Sequence, residues 1–188
     1  KDMESYIHGY SVRESGRLND QADTLDILLH HDTLFGENEV ILEAGCGVGA
    51  QTKIIATKNP HSRFISIDIS PDSIISARKT IEEQNIQNVQ FKVADIFSLP
   101  FEDETFAHVF VCFVLEHLSN PLIALRELKR VLKKNGTITV IEGDHGSTYF
   151  YPECDESKRA IECQIELQKR NGGNALIGRQ LYPLLNNG

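Results

Sequence analysis

Val40-Ile-Leu-Glu43-Ala-Gly45-Cys-Gly47-Val-Gly49 carries the strongest structural signal in the chain. Its first residues form a short apolar run, typical of a buried strand, and three glycines spaced two apart follow. The next residues, 51–59, have a helical composition that stops at Pro60. Because glycine tolerates positive φ and lets a ligand approach the main chain closely, this strand, turn and helix predict a ligand site at the turn.

The alternation of strand and helix continues along the chain. We predict further strands over residues 63–69, 89–93, 106–113 and 137–141, and helices over 72–84 and 121–132. Asn135-Gly136 would end the second of these helices, because glycine is favoured just past a helix C-terminus. Five strands joined by helical connections indicate a doubly wound α/β fold, with a mostly parallel sheet and helices on both faces.

Two flanking segments belong to the same predicted domain. We expect residues 1–35 to form an N-terminal helical lid segment, with a helix over 20–31, and residues 36–146 to form the ligand-binding core. Residues 147–188 are predicted to be a helical segment on the substrate side, with helices over about 153–170 and 178–185.

Composition and charge argue against several classes of protein. The net charge of −8 speaks against a nucleic-acid partner, which needs clustered Lys and Arg. No stretch approaches the roughly 20 apolar residues of a membrane span. The polar N-terminus gives no secretory signal. The cysteines fit reduced structural thiols, so we expect a cytoplasmic protein. The four cysteines form no C-x-x-C pair, and we expect no metal site.

Three carboxylates lie at or just after the ends of predicted strands, and they indicate the chemistry of the ligand. Glu43 precedes the glycines, where it would repel a pyrophosphate and favour a cationic ligand. Asp68, at the end of the second strand, matches the acid that reaches ribose hydroxyls in doubly wound folds. Asp95, after the third strand, can accept from an adenine amino group, with Ile69 and Ile96 on the ring faces. S-adenosylmethionine, which carries a sulfonium and an ammonium and no phosphate, fits this set.

Several motifs in the right order resemble class I, Rossmann-like methyltransferases. They are Glu43-Ala-Gly-Cys-Gly-Val-Gly49, Ser66-Ile-Asp68-Ile-Ser70-Pro-Asp72, Ala94-Asp95-Ile96-Phe-Ser-Leu-Pro-Phe101, Leu115-Glu-His117-Leu and Arg126-Glu-Leu-Lys-Arg-Val-Leu-Lys-Lys-Asn-Gly136. The subgroup that contains small-molecule and ubiquinone- or menaquinone-type methylases is the most similar. The resemblance spans roughly residues 38–142 and implies S-adenosylmethionine as cofactor, S-adenosylhomocysteine as product and a small-molecule acceptor.

The resemblance also implies roles for individual residues. The methionine end of the cofactor would be held by Glu43 and by the main chain of Gly45, Cys46 and Gly47. Asp68 would bind the ribose, Ile69 would lie beside the adenine, and Asp95 with the main chain of Ile96 would bind the adenine edge. Phe113 would border the methyl group. The cofactor would be covered by Tyr6, Tyr10 and Arg17.

The sequence departs from the family pattern at three places. Ala107 stands where an acid commonly follows the phenylalanine of the fourth strand, and Lys134-Asn135-Gly136 replaces a Pro-Gly-Gly turn, where Asn is able to adopt a left-handed conformation. The family's two final antiparallel strands have no counterpart before Gly188, so either the sequence is a fragment, which we expect, or the sheet is unusual.

The catalytic residues are not determined by the sequence. A general base is needed only if the acceptor loses a proton, and the candidates follow the fourth and fifth strands: Glu116, His117, Glu142, Asp144 and His145, of which Glu142 and His145 are best placed. Two alternatives stay open, a nucleotide-dependent oxidoreductase and a non-catalytic interaction module with the same fold.

Overall fold

A computed structural model describes residues 12–187. Its five strands form one sheet in the order β3-β2-β1-β4-β5, and all four pairings between them are parallel. The strands are β1 (Val40–Ala44), β2 (Arg63–Asp68), β3 (Val89–Val93), β4 (Phe106–Cys112) and β5 (Leu132–Ile141). The helices are α1 (Val12–His30), α2 (Ala50–Lys58), α3 (Pro71–Glu83), α4 (Pro121–Val131), α5 (Asp155–Arg170) and α6 (Leu181–Asn187). The predicted doubly wound fold is confirmed.

Both faces of the sheet are covered by apolar packing. On one face, Leu42 and Val109 of the sheet lie in a core cluster with Leu125 and Leu128 of α4. On the other, Ile41 and the neighbouring strands pack against α2 and α3, and α1 packs on α2. Successive residues of a strand point to opposite faces, and a parallel sheet is buried on both faces. Both sets of residues are therefore apolar, which explains the near-continuous apolar runs in β1 and β4.

Local signals explain where α3 and α4 begin. Ser70 caps α3 by accepting a hydrogen bond from the N–H of Ser73, and Pro71 occupies the first turn. In α4 the Asn120 side chain accepts from the N–H of Ile123, again with a proline at the start. Both arrangements satisfy N–H groups that a helix otherwise leaves unpaired, and proline lacks the N–H at that position.

Three predicted boundaries differ from the structure by more than two residues. Helix α1 already includes Val12, well before residue 20. Helix α4 ends at Val131, and β5 already begins at Leu132, so Asn135-Gly136 does not end the helix. The pair lies instead within β5, beside a register irregularity between Phe106 and His108 of β4, and Asn135 has φ 65°. The predicted left-handed Asn is thus confirmed, although it bends a strand rather than ending a helix.

The third difference is near the C-terminus of the described chain. Residues 177–180 form a 3₁₀ turn, and only then does α6 begin at Leu181.

Among residues 12–187, no helix is long and apolar enough to cross a bilayer.

A buried histidine links the two strands at the β5 edge. The His108 ring contacts the hydroxyls of Thr137 and Thr139, the latter at 3.0 Å from Nε2. It also packs against the Phe35 ring, with centroids 4.5 Å apart and the planes tilted by 51°. Burial lowers the pKa of His108 to about 4, with Glu39 opposing the shift. The folded protein therefore holds this imidazole neutral.

We expect this histidine to weaken the fold in acid. The unfolded chain binds the proton near pH 6.5 and the folded protein only near pH 4, so stability present above pH 6.5 is lost as the pH falls through that window. The wild-type free energy of unfolding should fall by about 2–3 kcal/mol more than that of His108→Gln between pH 7.5 and pH 4. Urea unfolding at both pH values measures this, and an equal fall in both proteins would contradict it.

Candidate cofactor and acceptor site

The glycine turn after β1 leaves one open position. Gly45 has φ 83° and lies under Val114, whose Cγ2 atom would be 2.4 Å from a Cβ placed on the glycine. Gly47 has φ 51°, yet a Cβ there would meet nothing within 4 Å. The first glycine is therefore required by packing against the β4 loop, while the second leaves the main chain accessible, as a ligand would need.

Glu43 is a buried carboxyl beside this turn. Its side chain is on the α2 face of the sheet, is 2% exposed, and its Oε2 accepts hydrogen bonds from Thr52 (2.8 Å) and Ser66 (2.6 Å). Among residues 12–187 the structure gives Oε1 no donor and Glu43 no cationic partner. Burial raises the pKa of Glu43 to about 7, and the nearby Asp68 adds to the shift. A ligand that brought a positive charge would stabilise the ionised form.

Asp68 closes the same turn from the end of β2. Its Oδ2 accepts from the N–H of Gly47 (2.8 Å), and its Oδ1 accepts from the N–H of Ser70 (2.9 Å). Burial raises the pKa of Asp68, and these backbone donors oppose the shift. Because each carboxylate oxygen can accept a second hydrogen bond, the side chain is held in place and still has lone pairs for a pair of ligand hydroxyls.

The side chains predicted to surround an adenine differ in exposure. Ile69 follows Asp68 directly and is 65% exposed, although it is a large apolar residue. Asp95 is exposed, and its Oδ1 accepts from the N–H of Phe97 at 2.9 Å. Ile96 is only 9% exposed and belongs to the core cluster on the α4 face. The Ile96 side chain therefore packs in the core, and a contact of its main chain with the cofactor stays a prediction.

The remaining predicted cofactor contacts lie after β4 and on α1. Phe113 is half-buried, has φ 57°, and donates its N–H to the carbonyl of Ile141 at 2.8 Å. Arg17, on α1, donates to Gln21 at 2.9 Å. Tyr6 and Tyr10 lie outside the described residues, so the predicted covering of the cofactor by these tyrosines stays a prediction.

Glu142 binds the main chain of the neighbouring loop. Its Oε1 accepts from the N–H groups of Val114 (2.9 Å) and Leu115 (2.7 Å), and its Oε2 accepts from Glu116 at 3.3 Å. Burial raises its pKa to about 7, against these backbone donors. A carboxylate with both oxygens engaged by the main chain supports the β4 loop, and this leaves it poorly placed to take a proton from a substrate.

Glu116 lies between two histidines, in the 3₁₀ turn Leu115–His117 that follows β4. Its Oε1 is 3.4 Å from Nε2 of His117, and its Oε2 is 3.4 Å from Nε2 of His145. Gln168 of α5, 1% exposed, donates to the main-chain and side-chain oxygens of Glu116. The candidates His117 and His145 are thus brought together by a carboxylate that both contact.

Residues 174–179 complete a wall around this cluster. The N–H of Asn174 donates to the carbonyl of Glu116 (2.7 Å), and the N–H of His145 donates to the carbonyl of Ala175 (2.9 Å). Arg179 forms two hydrogen bonds of 2.8 Å to the carboxylate of Asp144. The C-terminal segment is therefore tied to the loops after β4 and β5.

A family model for the methyltransferase domain matches residues 35–188. The chain belongs to this methyltransferase family. The resemblance found in the sequence motifs is confirmed.

Known relatives of this methyltransferase domain agree with that assignment. It is 33% identical over 147 residues to an uncharacterized methyltransferase of Schizosaccharomyces pombe, covering 75% of this chain and 52% of the relative. It is 29% identical over 117 residues to the demethylmenaquinone methyltransferase of Lactococcus lactis, covering 62% and 46%. The chain thus spans about half the length of these curated relatives.

A solved structure shares the fold. The crystal structure of a SAM-dependent methyltransferase from Aquifex aeolicus matches with a TM-score of 0.61 and 19% identity, over 85% of this chain and 87% of that one. Such a match shows the Rossmann-like architecture of the methyltransferase domain and nothing finer.

The most informative residue that sequence reasoning missed is Gln168. A glutamine within the charged helix α5 carries no local signal of burial, since its neighbours Leu167 and Lys169 are both exposed. Its role depends on a contact with Glu116, 52 positions away in the chain. Within residues 12–187, no group of three or more His, Cys, Asp or Glu side chains is arranged to hold a metal ion.

Proposed function

We propose that this protein is an S-adenosylmethionine-dependent methyltransferase that methylates a small-molecule acceptor. The observation that carries the proposal is the buried Glu43 carboxyl without a cationic partner among the described residues, next to the open main chain at Gly47. When bound, S-adenosylmethionine supplies an electrophilic methyl group on a sulfonium. Glu43 would face its cationic methionine end, because a desolvated carboxylate is most stable beside a positive charge.

The other carboxylates and apolar residues would hold the rest of the cofactor. Asp68, fixed by two backbone donors, would accept from the ribose hydroxyls. Asp95 and the main chain of Ile96 would bind the adenine edge, and the exposed Ile69 would cover one ring face. The methyl group would lie near Phe113. The main chain of Cys46, in the glycine turn, would help to hold the methionine end. Tyr10 and Arg17 of the lid segment, residues 1–35, would complete the site.

The acceptor would bind over the carboxyl ends of β4 and β5. In doubly wound folds these strand ends border the ligand crevice. Here α5 and residues 174–179, within segment 147–188, are hydrogen-bonded to the loops after both strands. A small acceptor is supported by the net charge of −8 and by relatives named for demethylmenaquinone methylation. Transfer would be an in-line displacement, in which positioning alone contributes about 7–11 kcal/mol.

Cofactor binding tests this function directly. We expect titration calorimetry to show binding of S-adenosylmethionine and S-adenosylhomocysteine and none of NAD. Asp68→Ala should weaken both by about a hundredfold, the effect of losing two hydrogen bonds to a charged group. The exposed acid Asp32 is a matched control, and Asp32→Ala should bind as the wild type does.

Two results would overturn the proposal. Binding of NAD alone would assign the site to an oxidoreductase. Absence of any cofactor binding by the folded protein would indicate a non-catalytic module.

A further inference from the structure

A buried carboxylate and two histidines form a cluster at the proposed acceptor side. Glu116 follows β4 and has a side chain only 10% exposed, while His145 follows β5 and has a side chain 31% exposed. The Nε2 atom of His145 is 3.4 Å from Oε2 of Glu116. A partly open imidazole backed by a buried carboxylate is an arrangement able to accept a proton from a ligand.

We propose that His145 is the general base of the methyl transfer, that Glu116 is its positioning residue, and that the acceptor reacts through a phenolic or enolic hydroxyl. This inference rests on the methyltransferase function proposed above. It adds that the nucleophilic atom of the acceptor carries a proton at neutral pH, because a base is required only in that case, and a hydroxyl is the acceptor of this kind to which we commit.

The contacts of the ring identify the nitrogen that takes the proton. A carboxylate only accepts hydrogen bonds, so the 3.4 Å contact with Glu116 favours the tautomer that carries its hydrogen on Nε2 of His145. The amide nitrogen of Gln164, a donor, is 3.4 Å from Nδ1, and this contact fits the same tautomer, with the lone pair on Nδ1. An acceptor hydroxyl that donated to Nδ1 would take the place of this amide.

Neither of the other two candidates fits the role as well. Both oxygens of Glu142 accept main-chain N–H groups of the β4 loop. His117 faces the other oxygen of Glu116 and is less exposed than His145, with side-chain exposures of 22% and 31%. His145 is therefore the most accessible base of the three.

Gly143 lies beside the pair. A Cβ placed on it would be in van der Waals contact with both groups, 3.7 Å from Nε2 of His145 and 4.0 Å from Oε2 of Glu116. The site also connects to the cofactor turn, because Val114 packs on Gly45 and its N–H binds Glu142, the residue before Gly143. The base and the proposed cofactor site are thus on the same loops.

In the proposed transfer, each bond that breaks is matched by a bond that forms. The O–H bond of the acceptor breaks, and its proton moves to Nδ1 of His145. The oxygen lone pair forms the new O–CH₃ bond as the S–CH₃ bond of the cofactor breaks, leaving a neutral thioether. The imidazolium, hydrogen-bonded to the Glu116 carboxylate, then returns its proton to solvent.

The charged groups around the His145 ring favour transfer of the proton to the imidazole. The hydrogen bond to Glu116 raises the pKa of His145, and partial burial opposes the shift. Burial favours a raised pKa for Glu116, but its pKa is lowered, because the hydrogen bonds from His145 and Gln168 and the charges of His117 and His145 outweigh burial. The titratable and charged groups that face the pair are Asp144, Arg179, His117 and Glu142.

Comparing the methylation of two kinds of acceptor distinguishes a general base at His145 from a residue that only supports the structure. Transfer of labelled methyl would be measured to catechol and 1,4-dihydroxynaphthalene, whose hydroxyls are protonated at neutral pH, and to 4-nitrothiophenol, which is already ionised. We expect His145→Gln to lower kcat for the hydroxyl acceptors by about 10²–10³-fold. The rate with the ionised thiol and the Kd for S-adenosylmethionine should stay within about threefold of wild type. His31→Gln, at an exposed histidine beside Asp32, is the matched control.

The pH profile tests the positioning role of Glu116. Only neutral His145 accepts a proton, so kcat/KM for the hydroxyl acceptors should rise with pH through the pKa of His145. Glu116→Gln should move this rising limb to lower pH, because the imidazolium loses its carboxylate partner. A structural contact alone would not move the limb.

Three outcomes would overturn the inference. They are an equal loss with both kinds of acceptor, a limb that does not move, and no methylation of either hydroxyl compound by a protein that binds S-adenosylmethionine. A protein that fails to bind S-adenosylmethionine would instead overturn the proposed function.

Discussion

Gly45→Ala is expected to lower the melting temperature by about 5–15 °C. The left-handed backbone at φ 83° costs alanine about 1–2 kcal/mol. The new Cβ would also be 2.4 Å from Cγ2 of Val114, and overpacking of this kind adds about 1–3 kcal/mol. For a chain of this size, each 1 kcal/mol shifts the melting temperature by about 2–4 °C. Thermal unfolding followed by circular dichroism measures the change.

Gly47→Ala provides the matched control for this substitution. Its φ of 51° carries the same kind of backbone cost, but its Cβ would meet nothing within 4 Å. We expect a loss of only about 1–2 kcal/mol in stability, together with weaker binding of S-adenosylmethionine, because the Cβ would occupy the open side of the turn. The Val114→Ala substitution should restore part of the stability of Gly45→Ala and none of Gly47→Ala. Equal melting temperatures for the two alanine variants would contradict the packing argument.

Cofactor binding is expected to release a proton from Glu43. The pKa of this carboxyl is about 7 in the unliganded protein, and a cationic ligand favours its ionised form. Below pH 7 the carboxyl must lose a proton before it pairs with the ligand, so the Kd for S-adenosylmethionine should rise by about tenfold for each pH unit. Above pH 7 it should be nearly constant. Calorimetry in two buffers of different ionisation enthalpy measures the proton directly.

The Glu43→Gln variant separates this effect from Asp68, whose pKa is also raised by burial. Glutamine keeps an oxygen for the hydroxyls of Thr52 and Ser66 and removes the charge. We expect it to weaken binding at pH 8 by about 10–100-fold, in line with the loss of a charge-assisted hydrogen bond, and to remove the pH dependence. A pH dependence that persisted in Glu43→Gln would assign the proton to another group.

Sequence patterns predicted the sheet and the turn because both depend on neighbouring residues. The strand β3 matches its predicted bounds, and α3 differs by one residue at each end. The Asn135-Gly136 pair was misassigned for a physical reason. A left-handed residue followed by glycine is found both at helix ends and at strand irregularities. Only the pairing of Leu132 with Phe106 shows that this pair lies within a strand.

The acceptor side was less predictable, because its contacts join distant parts of the chain. The sequence places Glu142 and His145 beside each other after β5 and indicates that both lie at the ligand edge. It does not show that Glu142 is bound by the main chain of the β4 loop, or that Gln168 of α5 contacts Glu116. These assignments depend on how α5 packs, and a helix with mostly exposed residues gives little indication of that.

The wall around the acceptor side is joined largely through the main chain. Asn174, His145 and Gly178 donate their N–H groups to carbonyls of facing loops, and the absent side chain of Gly173 permits a close approach to the carbonyl of Glu116. Main-chain bonds do not depend on which side chains surround them. The exposed tyrosines at positions 149, 151 and 182 can therefore be exchanged in evolution without loosening this frame. If the proposed acceptor site is correct, substitutions at these exposed positions would change which acceptors bind and leave the main-chain frame of the site unchanged.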